Sequence, residues 1–301
     1  MTLVFALILD AVCGEPRWLW SRAPHPAVLM GRAVGWCDRR FNAGRARRVK
    51  GGLTIASLGG LGFGIGWLIE VLPPGWLWST LLAAILLAQR SLVAHVQAVA
   101  DALRYGVVPG RKAVAMIVGR DTEQMSEAEI ARAAIESAAE NLSDGVVAPA
   151  FWYLLLGLPG IVLYKVTNTA DSMIGHRTPR HAAFGWAAAR LDDVLNWVPA
   201  RLTAILIAAA SATPTAWRVA CRDANLHRSP NAGWPEAAMA AALNTALSGP
   251  RNYGGSPTPM PLVYPEGRRC PGVSEIEVAI AILWRSWVLL VLLALVCAAP
   301  R

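Results

Sequence analysis

Three apolar segments are long enough to cross a bilayer, and they constrain the fold of this chain more than any other feature. They lie at about residues 53–72, 76–95 and 279–299, and each is close to the ~20 apolar residues that a spanning helix needs. Only 16% of the 301 residues are charged, whereas soluble domains average about 25%. We therefore expect an all-α, polytopic integral membrane protein, with residues 1–301 in a single domain because no polar linker divides them.

Three other apolar segments are ambiguous. Residues 1–13 lack the basic start of a secretory signal and contain Asp10, which predicts a short retained helix. Residues 146–164 are interrupted by two prolines, and residues 199–212 are short for a full crossing. Each of these two could be a span, a re-entrant segment or part of a membrane-docked core. We expect that neither crosses, which leaves the polar stretch between them in the cytosol.

The formal charge of +8 comes mainly from arginines, which cluster within residues 38–50 and again near residue 111. Basic loops beside apolar spans are typical of the cytoplasmic face of a membrane protein. A nucleic-acid partner is the weaker interpretation, because no nucleic-acid-binding module is present. The five cysteines are far apart and form no CxxC or zinc-site spacing, so we expect free thiols.

A run of ionisable and amide side chains, set among apolar ones, extends from Gly119 to Arg201. Carboxylates are costly in such surroundings unless they are paired, bind a metal or take part in chemistry. Ser126 and Glu129 have capping-box spacing, which predicts that a helix begins there. Four residues of this helix are spaced four apart and share one face: Arg132, Glu136, Glu140 and Asp144. They indicate either a solvated face with ion pairs or, at the apolar C-terminal end, a cation site.

Lys165, Asn168, Asp171 and Ser172 form a second group, placed on one face of a predicted helix. The lysine could simply pair with Asp171. It could equally hold a phosphate as a point charge. The mixture of Lys, Asn, Asp and Ser favours a functional site, because a single ion pair does not need so many polar side chains.

A third group combines adjacent acids with arginines. Asp192 and Asp193, followed by Asn196, resemble carboxylate sets that hold Mg²⁺ while phosphate oxygens complete its shell. Arg190 and Arg201 suit bidentate recognition of phosphate. The alternative is a helix end with surface charges. Beyond this group, Pro at a first helical turn predicts a helix over 235–247.

These residues together indicate a membrane-embedded, Mg²⁺-dependent enzyme that acts on phosphate-bearing molecules. The chain contains no Walker-type loop, no GxGxxG opening a helix after a strand and no GxSxG. Any nucleotide site is therefore unconventional. Two other classes stay open, a Mg²⁺-dependent prenyl- or phospho-alcohol transferase and a transporter, although a transporter usually has more spans and internal repeats.

Several longer motifs make a more specific comparison. In chain order they read GEPRW, PHPAVLMGR, VGRDT, ESAAENLSDGVVAPAFW, YKVTNTADSMIGH, FGWAAARLDDVLNWVPARLTA and SPNAGWPEAAMAAAL. Together they closely resemble the adenosylcobinamide-phosphate synthase family of cobalamin biosynthesis (CobD/CbiB), over nearly the whole chain. Many members of that family have GDP where this chain has Gly14-Glu15-Pro16, a change that keeps the carboxylate.

The resemblance implies a multi-pass protein of the inner cell membrane with a membrane-docked helical catalytic region facing the cytoplasm. It implies ATP-dependent amide formation between adenosylcobyric acid and (R)-1-amino-2-propanol or its O-phosphate. ATP is then a co-substrate and Mg²⁺ the expected cofactor. The expected partners are these substrates and the lipid bilayer, with no nucleic acid. A corrinoid transporter is the non-enzymatic alternative, and a partner subunit or homo-oligomer stays open.

Within that reaction, residue roles follow from side-chain chemistry. As Mg²⁺ ligands we expect Asp144, Asp171, Asp192 and Asp193. As groups that contact phosphate or substrate we expect Arg120, Asn168, Arg190, Arg201, Asn231, Trp234 and Glu236. As catalytic residues we expect Glu140, which would deprotonate the amine, together with Lys165 and Asp193.

Overall fold

The computed structural model describes residues 1–253 and 256–298, without the side chains of residue 17 and residues 251–257. It is 73% helical, which confirms the all-α class. The described residues form fourteen α-helices. They are Thr2–Cys13 (α1), Arg17–Trp20 (α2), Pro26–Phe41 (α3), Arg47–Val71 (α4), Gly75–Leu86 (α5), Gln89–Arg104 (α6), Val107–Val114 (α7), Glu127–Leu142 (α8), Ala148–Ile174 (α9), Trp186–Leu195 (α10), Trp197–Ala210 (α11), Pro214–Asp223 (α12), Gly233–Ala242 (α13) and Val273–Ala298 (α14).

Four helical runs of the described chain are long and apolar enough to cross a membrane: Arg47–Val71, Gly75–Arg104, Glu127–Ile174 and Val273–Ala298. Three of them contain the predicted spans. The fourth contains residues 146–164, which we expected not to cross. Helix on both sides of this segment makes the run longer than its apolar part suggests. Helices α10 and α11, bent by 45°, pass the same test together. Both ambiguous internal segments therefore belong to candidate spans.

The chain divides into two compact units whose segments alternate along the sequence. The first unit contains Met1–Arg90, Asp144–Asn196 and the C-terminal segment from Ala294. The second contains Ser91–Ser143 and Trp197–Leu293. The predicted single domain is not tested by this division, since each unit takes segments from both halves of the sequence.

In the first unit, α4 packs along α9, and α3, α5 and α10 pack against these two helices. Glycines on α4 permit the close approach, because they carry no side chain at the contact. A side chain at Gly66 would lie 2.8 Å from Cα of Pro159 in α9, and one at Gly51 would lie 1.8 Å from the main-chain oxygen of Phe184. The helices therefore meet at backbone distance, and any larger residue at these positions would separate them.

Helix α9 is broken at Gly157, whose backbone has φ 66° and ψ −154°. The break leaves the N–H of Leu158 without an intrahelical acceptor, and Glu70 Oε1 accepts its hydrogen bond at 3.3 Å. Ser79 Oγ donates to the same carboxylate oxygen at 3.5 Å and lies 2.7 Å from the hydroxyl oxygen of Tyr153. Glu70 thus caps the second half of a broken helix from the end of α4.

Helix α3 begins at a histidine cap. Nδ1 of His25 accepts a hydrogen bond from the N–H of Ala27 at 3.1 Å, and Pro26 occupies the first helical position. Burial lowers the pKa of His25 below its usual 6.5, because desolvation disfavours the charged ring. The neutral ring is the form whose Nδ1 can accept a hydrogen bond. The lowered pKa therefore favours the same form of His25 that the cap needs.

In the second unit, α7 and α13 pack against α8, and α11, α12 and α13 pack against one another. Two short antiparallel pairs follow: Leu247–Ser248 (β1) with Leu262–Val263 (β4), and Arg251–Tyr253 (β2) with Ser256–Thr258 (β3). The helix predicted over 235–247 ends earlier, at Ala242. Asn244 has φ 48°, a left-handed conformation that stops the helix and turns the chain into β1.

Gly157→Ala tests the break in α9. We expect the free energy of unfolding to fall by about 1–3 kcal/mol, the usual cost of a non-glycine residue in a sparsely populated backbone region. The new Cβ would also lie 2.7 Å from Glu70 Oε1. Thermal unfolding in detergent measures the loss. Gly64→Ala in α4 is the matched control, because its Cβ would meet no atom within 4 Å; equal stability of the two variants would contradict the assignment.

The His25 cap predicts a pH dependence. A group whose pKa is lowered by folding contributes stability above its unfolded pKa, and loses it as the pH falls through the folded pKa. We therefore expect the melting temperature to decrease between about pH 8 and about pH 5. His25→Asn keeps a capping acceptor that does not titrate, so its melting temperature should change less over the same range. An equal decrease in both proteins would exclude His25 as the source.

Candidate functional site

A hydrogen-bonded group of carboxylates and amides lies inside the first unit; we call it the Asn168 network. Nδ2 of Asn168 donates to Asp144 Oδ2 at 3.3 Å and to Asp192 Oδ1 at 3.2 Å. Nδ2 of Asn196 donates to Asp192 Oδ2 at 3.0 Å. Asp192 is 8% exposed and Asn196 is 1% exposed. The amide of Asn168 therefore joins two acids, each of which is 24 residues away from it in the sequence.

Tyr164 also belongs to the Asn168 network, because its hydroxyl group contacts both Asn196 and Asp144. Its hydroxyl oxygen lies 3.0 Å from Asn196 Oδ1 and 3.1 Å from the main-chain oxygen of Asp144, and the residue is fully buried. Asp144 belongs to a short π-helix, Ser143–Val147, between α8 and α9. The wider π turn leaves main-chain oxygens available to side chains, and such bulges are frequent at functional sites. Nε1 of Trp152 in α9 donates to the main-chain oxygen of Leu195 at 3.0 Å and so joins α9 to the end of α10.

Lys165 brings a cation to the same helix. The carboxylates of Asp144, Glu15 and Asp10 act on its ammonium electrostatically. No carboxylate of the described residues lies within 4.0 Å of its Nζ. The predicted alternative, a simple ion pair with Asp171, is therefore not formed. A lysine surrounded by acids but bound to none of them is suited to hold an anionic substrate group.

The two adjacent acids of α10 have different surroundings. Asp192 is buried in the Asn168 network, whereas Asp193 Oδ2 accepts from Arg190 Nη1 at 3.0 Å near the surface. Neighbouring residues of a helix point about 100° apart, which explains the separation. Asp171 acts electrostatically on Asp192, and its carboxylate occupies space that a side chain at Gly175 would fill, 1.9 Å from the Cβ position.

The donor set fits Mg²⁺ only in part. In the described part of the chain, no three side chains of His, Cys, Asp and Glu are arranged to hold a metal ion by themselves. Mg²⁺ is commonly held by one or two carboxylates, with waters and substrate phosphates completing its shell. Asp144 and Asp192, joined by Asn168, meet that smaller requirement. The larger set with Asp171 and Asp193 stays a prediction.

Of the two alternatives for the shared face of α8, a solvated face does not describe Glu136, because this side chain and most of the helix are buried in the second unit. Arg120 Nη2 donates to Glu136 Oε2 at 2.7 Å, with the two side chains 10% and 5% exposed. Glu136 Oε1 also accepts from the N–H of Ser248 at 2.7 Å. This buried ion pair favours a structural role for Arg120 over phosphate binding. Glu140 is exposed, and its role as a base stays a prediction.

The second unit contains a row of stacked side chains that we call the Trp–Arg stack. The guanidinium of Arg201 lies 4.3 Å from the ring centroid of Trp197 and 4.6 Å from that of Trp234. Trp217 continues the row, with its ring centroid 5.7 Å from that of Trp234. Arg201 Nη1 donates to the main-chain oxygen of Trp197 at 2.6 Å and to Asn231 Oδ1 at 3.3 Å.

The structure separates the residues predicted to contact substrate in this region. Asn231 is 6% exposed, and its N–H donates to Ser229 Oγ at 3.2 Å. Its side-chain oxygen accepts from Arg201 Nη1 and so helps to orient the guanidinium. Glu236 is 1% exposed, and its Oε1 lies 3.7 Å from His227 Nε2. Burial this deep places Glu236 inside the unit, where it supports the loop before α13. Contact of Asn231 and Glu236 with substrate stays a prediction.

Sequence reasoning missed several members of both groups. Tyr164 looked like one more apolar residue of α9, although its position beside Lys165 was a signal. Trp217 carried no signal, because nothing in the local sequence shows that α12 packs against α13. Arg190 and Arg201 were placed in one group by the sequence, but Asn196 ends α10 and a 45° bend follows. The two arginines belong to different units.

The fold and the Asn168 network define a helical membrane-protein class with a polar centre built from two carboxylates. The family described as CobD/Cbib protein matches residues 3–283. The chain belongs to this family.

Three relatives are each called "Cobalamin biosynthesis protein CobD". The protein of Rhizobium meliloti (strain 1021) is 50% identical over 94% of this chain and 92% of its own length. That of Sinorhizobium sp is 49% identical over 94% and 93%. That of Rhodobacter capsulatus is 45% identical over 94% and 97%. No solved structure matches the chain.

Tyr164→Phe tests the closure of the network. The variant leaves Asn196 Oδ1 without the hydroxyl donor, and we expect a loss of about 1–3 kcal/mol in the free energy of unfolding, the usual cost of an unsatisfied buried polar group. Chemical or thermal unfolding in detergent gives the value. Tyr105→Phe is the control, because Tyr105 is 87% exposed. A Tyr164→Phe protein as stable as this control would show that the hydroxyl contributes nothing.

Proposed function

We propose that this chain acts in cobalamin biosynthesis as an ATP-dependent acid–amine ligase. It would join adenosylcobyric acid to (R)-1-amino-2-propanol or its O-phosphate. Membership of the CobD/Cbib family and the names of the relatives support the pathway. The observation that carries the chemistry is the Asn168 network with Lys165 beside it. Two acids and a lysine would be costly among apolar helices without a charged ligand to hold.

The reaction would take place in two steps, activation of the carboxylate and attack by the amine. The propionate carboxylate attacks the γ-phosphorus of ATP, the bond to the bridging oxygen breaks, and ADP leaves with its electron pair. The acyl phosphate has a good leaving group, which the carboxylate lacks. The neutral amine then attacks the carbonyl carbon and phosphate departs. The amine loses one proton to a base, so the products are the amide, ADP, phosphate and a proton.

The residues of the first unit suit the charged part of this reaction. Bound Mg²⁺ would neutralise charge on the transferred phosphoryl group. Asp144 and Asp192 are the carboxylates that would hold it, and Asn168 keeps the two acids in place. Lys165 would hold a phosphate oxygen as a point charge. Asp171 and Asp193 are the further acids that the sequence assigned to the metal, with Arg190 paired to Asp193 at the surface.

The remaining roles complete the proposal. Glu140, exposed near the end of α8, is the proposed base for the amine. The catalytic face would be cytoplasmic, where ATP is available, in a protein that crosses the inner membrane several times. The substrates and the lipid bilayer are the proposed partners. A homo-oligomer or partner subunit stays open.

Purified protein in detergent or liposomes tests the function directly. It is incubated with adenosylcobyric acid, ATP·Mg and each amine in turn, and the product is followed by mass. We expect the amide together with one ADP per amide formed. Amide without ATP consumption would exclude the ligase. Turnover of an isoprenoid diphosphate would favour the transferase, and accumulation of unchanged corrinoid in vesicles would favour a transporter.

Asp192→Asn tests the centre. The substitution removes the charge but keeps the shape, and we expect product formation to fall by about 10²-fold or more, as for loss of a group that stabilises transition-state charge. Asp193→Asn should lose less, because Arg190 already pairs with that carboxylate. Asp101→Asn, an exposed acid with 52% side-chain exposure, is the matched control. Wild-type turnover by Asp192→Asn, with unchanged insertion and melting temperature, would refute the assignment.

A further inference from the structure

The Trp–Arg stack combines a fixed cation with exposed aromatic surface. Trp197 is 55% exposed and Trp217 is 37% exposed, while Arg201 lies against the rings of Trp197 and Trp234. Large aromatic residues left in contact with solvent cost free energy. Four planar groups in a row are more than a single buried contact requires, so the arrangement itself needs an explanation.

Arg201 is held in one orientation. Two indole rings lie against its guanidinium, and Nη1 donates to the main-chain oxygen of Trp197 and to Asn231 Oδ1. Among the described residues, Nε and Nη2 of Arg201 have no hydrogen-bond partner. These two nitrogens form the edge of the guanidinium that binds carboxylate or amide oxygens in a bidentate manner. The stack therefore presents a preorganised donor edge beside apolar ring surface.

A membrane-interface belt is the simplest other explanation for tryptophans in such a protein. Trp197 begins α11, which belongs to the bent candidate span. Trp217 lies on α12 and Trp234 on α13, and neither helix is among the candidate spans of the described chain. Trp197 and Trp234 also share contact with the Arg201 guanidinium, and Trp217 lies against Trp234 at an interplanar angle of 37°. These facts favour a ligand-binding surface over a belt.

We infer that the Trp–Arg stack binds the substrate that carries a large conjugated ring with amide arms, the corrinoid, and that Arg201 donates to oxygens on those arms. This inference rests on the proposed function. Aromatic side chains bind extended ring surfaces well, and a single purine base would cover only one indole of the row. A nucleotide would also require several cations for its phosphates, whereas the stack supplies one guanidinium.

Equilibrium dialysis of the full-length protein in detergent tests the inference without any turnover. Adenosylcobyric acid is the probe, its visible absorbance reports the bound fraction, and ATP is omitted. We expect Arg201→Gln and Trp217→Leu each to raise the Kd about tenfold, as for loss of a favourable stacking or charge-assisted contact. Trp217→Phe, which retains an aromatic ring, should raise it less. Trp76→Leu is the control, because Trp76 is 65% exposed in the first unit.

Kinetics separate substrate binding from a general structural effect. In the amide assay, the stack variants should raise KM for adenosylcobyric acid with kcat nearly unchanged, and leave KM for ATP and for the amine as in the wild type. An unchanged Kd in both Arg201→Gln and Trp217→Leu, with wild-type melting temperatures, would overturn the inference. So would weaker binding of ATP or amine in place of the corrinoid.

The two proposals can fail independently. If wild-type protein makes the amide while the stack variants bind adenosylcobyric acid normally, the function stands and the inference fails. If wild-type protein binds adenosylcobyric acid through the stack but makes no amide, the inference stands and the ligase fails. Should Arg201→Gln not fold, Trp217→Leu and Trp217→Phe still decide the matter, because Trp217 is at one end of the row and its side chain is exposed.

Discussion

The two hydrogen bonds donated by Asn168 are the interaction on which the polar centre depends. They join α9 to the π-helical turn that carries Asp144 and to α10, which carries Asp192. Two carboxylates this close repel each other and would be costly in apolar surroundings. A shared amide donor offsets part of both costs and fixes the acids in place before any ligand arrives. Asn196 donates a further hydrogen bond to Asp192, and the Tyr164 hydroxyl in turn donates to Asn196, so the amide of Asn196 is also held in place.

Much of the fold was predictable because membrane helices follow from length and apolar composition alone. The three clear spans each fall in a helical run that is long and apolar enough to cross a membrane, and the capping box at Ser126 is confirmed. The ambiguous segment, residues 146–164, contains prolines that normally end a helix, yet it lies in one helical run. Here Glu70, almost ninety residues earlier, supplies the missing acceptor for Leu158. No local pattern can reveal a partner so distant in sequence.

The candidate site was predictable in composition and less so in geometry. Sequence reasoning found Asp144, Asn168 and Asp192, because polar residues in apolar helices are conspicuous. It could not separate Asp192 from Asp193, since adjacency in sequence hides the 100° between them. It also treated Arg120 as a ligand residue, although its partner is the buried Glu136. Which charges neutralise each other depends on packing, and packing is decided by the whole unit.

The alternation of the two units along the chain has a consequence for biosynthesis. When residues up to Arg90 have been made, the first unit lacks α9 and α10, which follow only after Ser143. Helix α4 and the run Gly75–Arg104, which begins with α5, are each long and apolar enough to cross a membrane, so they can enter the bilayer before α9 has been made. Assembly of the polar centre is then a late event, and a ribosome stalled before α10 would leave a stable membrane anchor without Asp192.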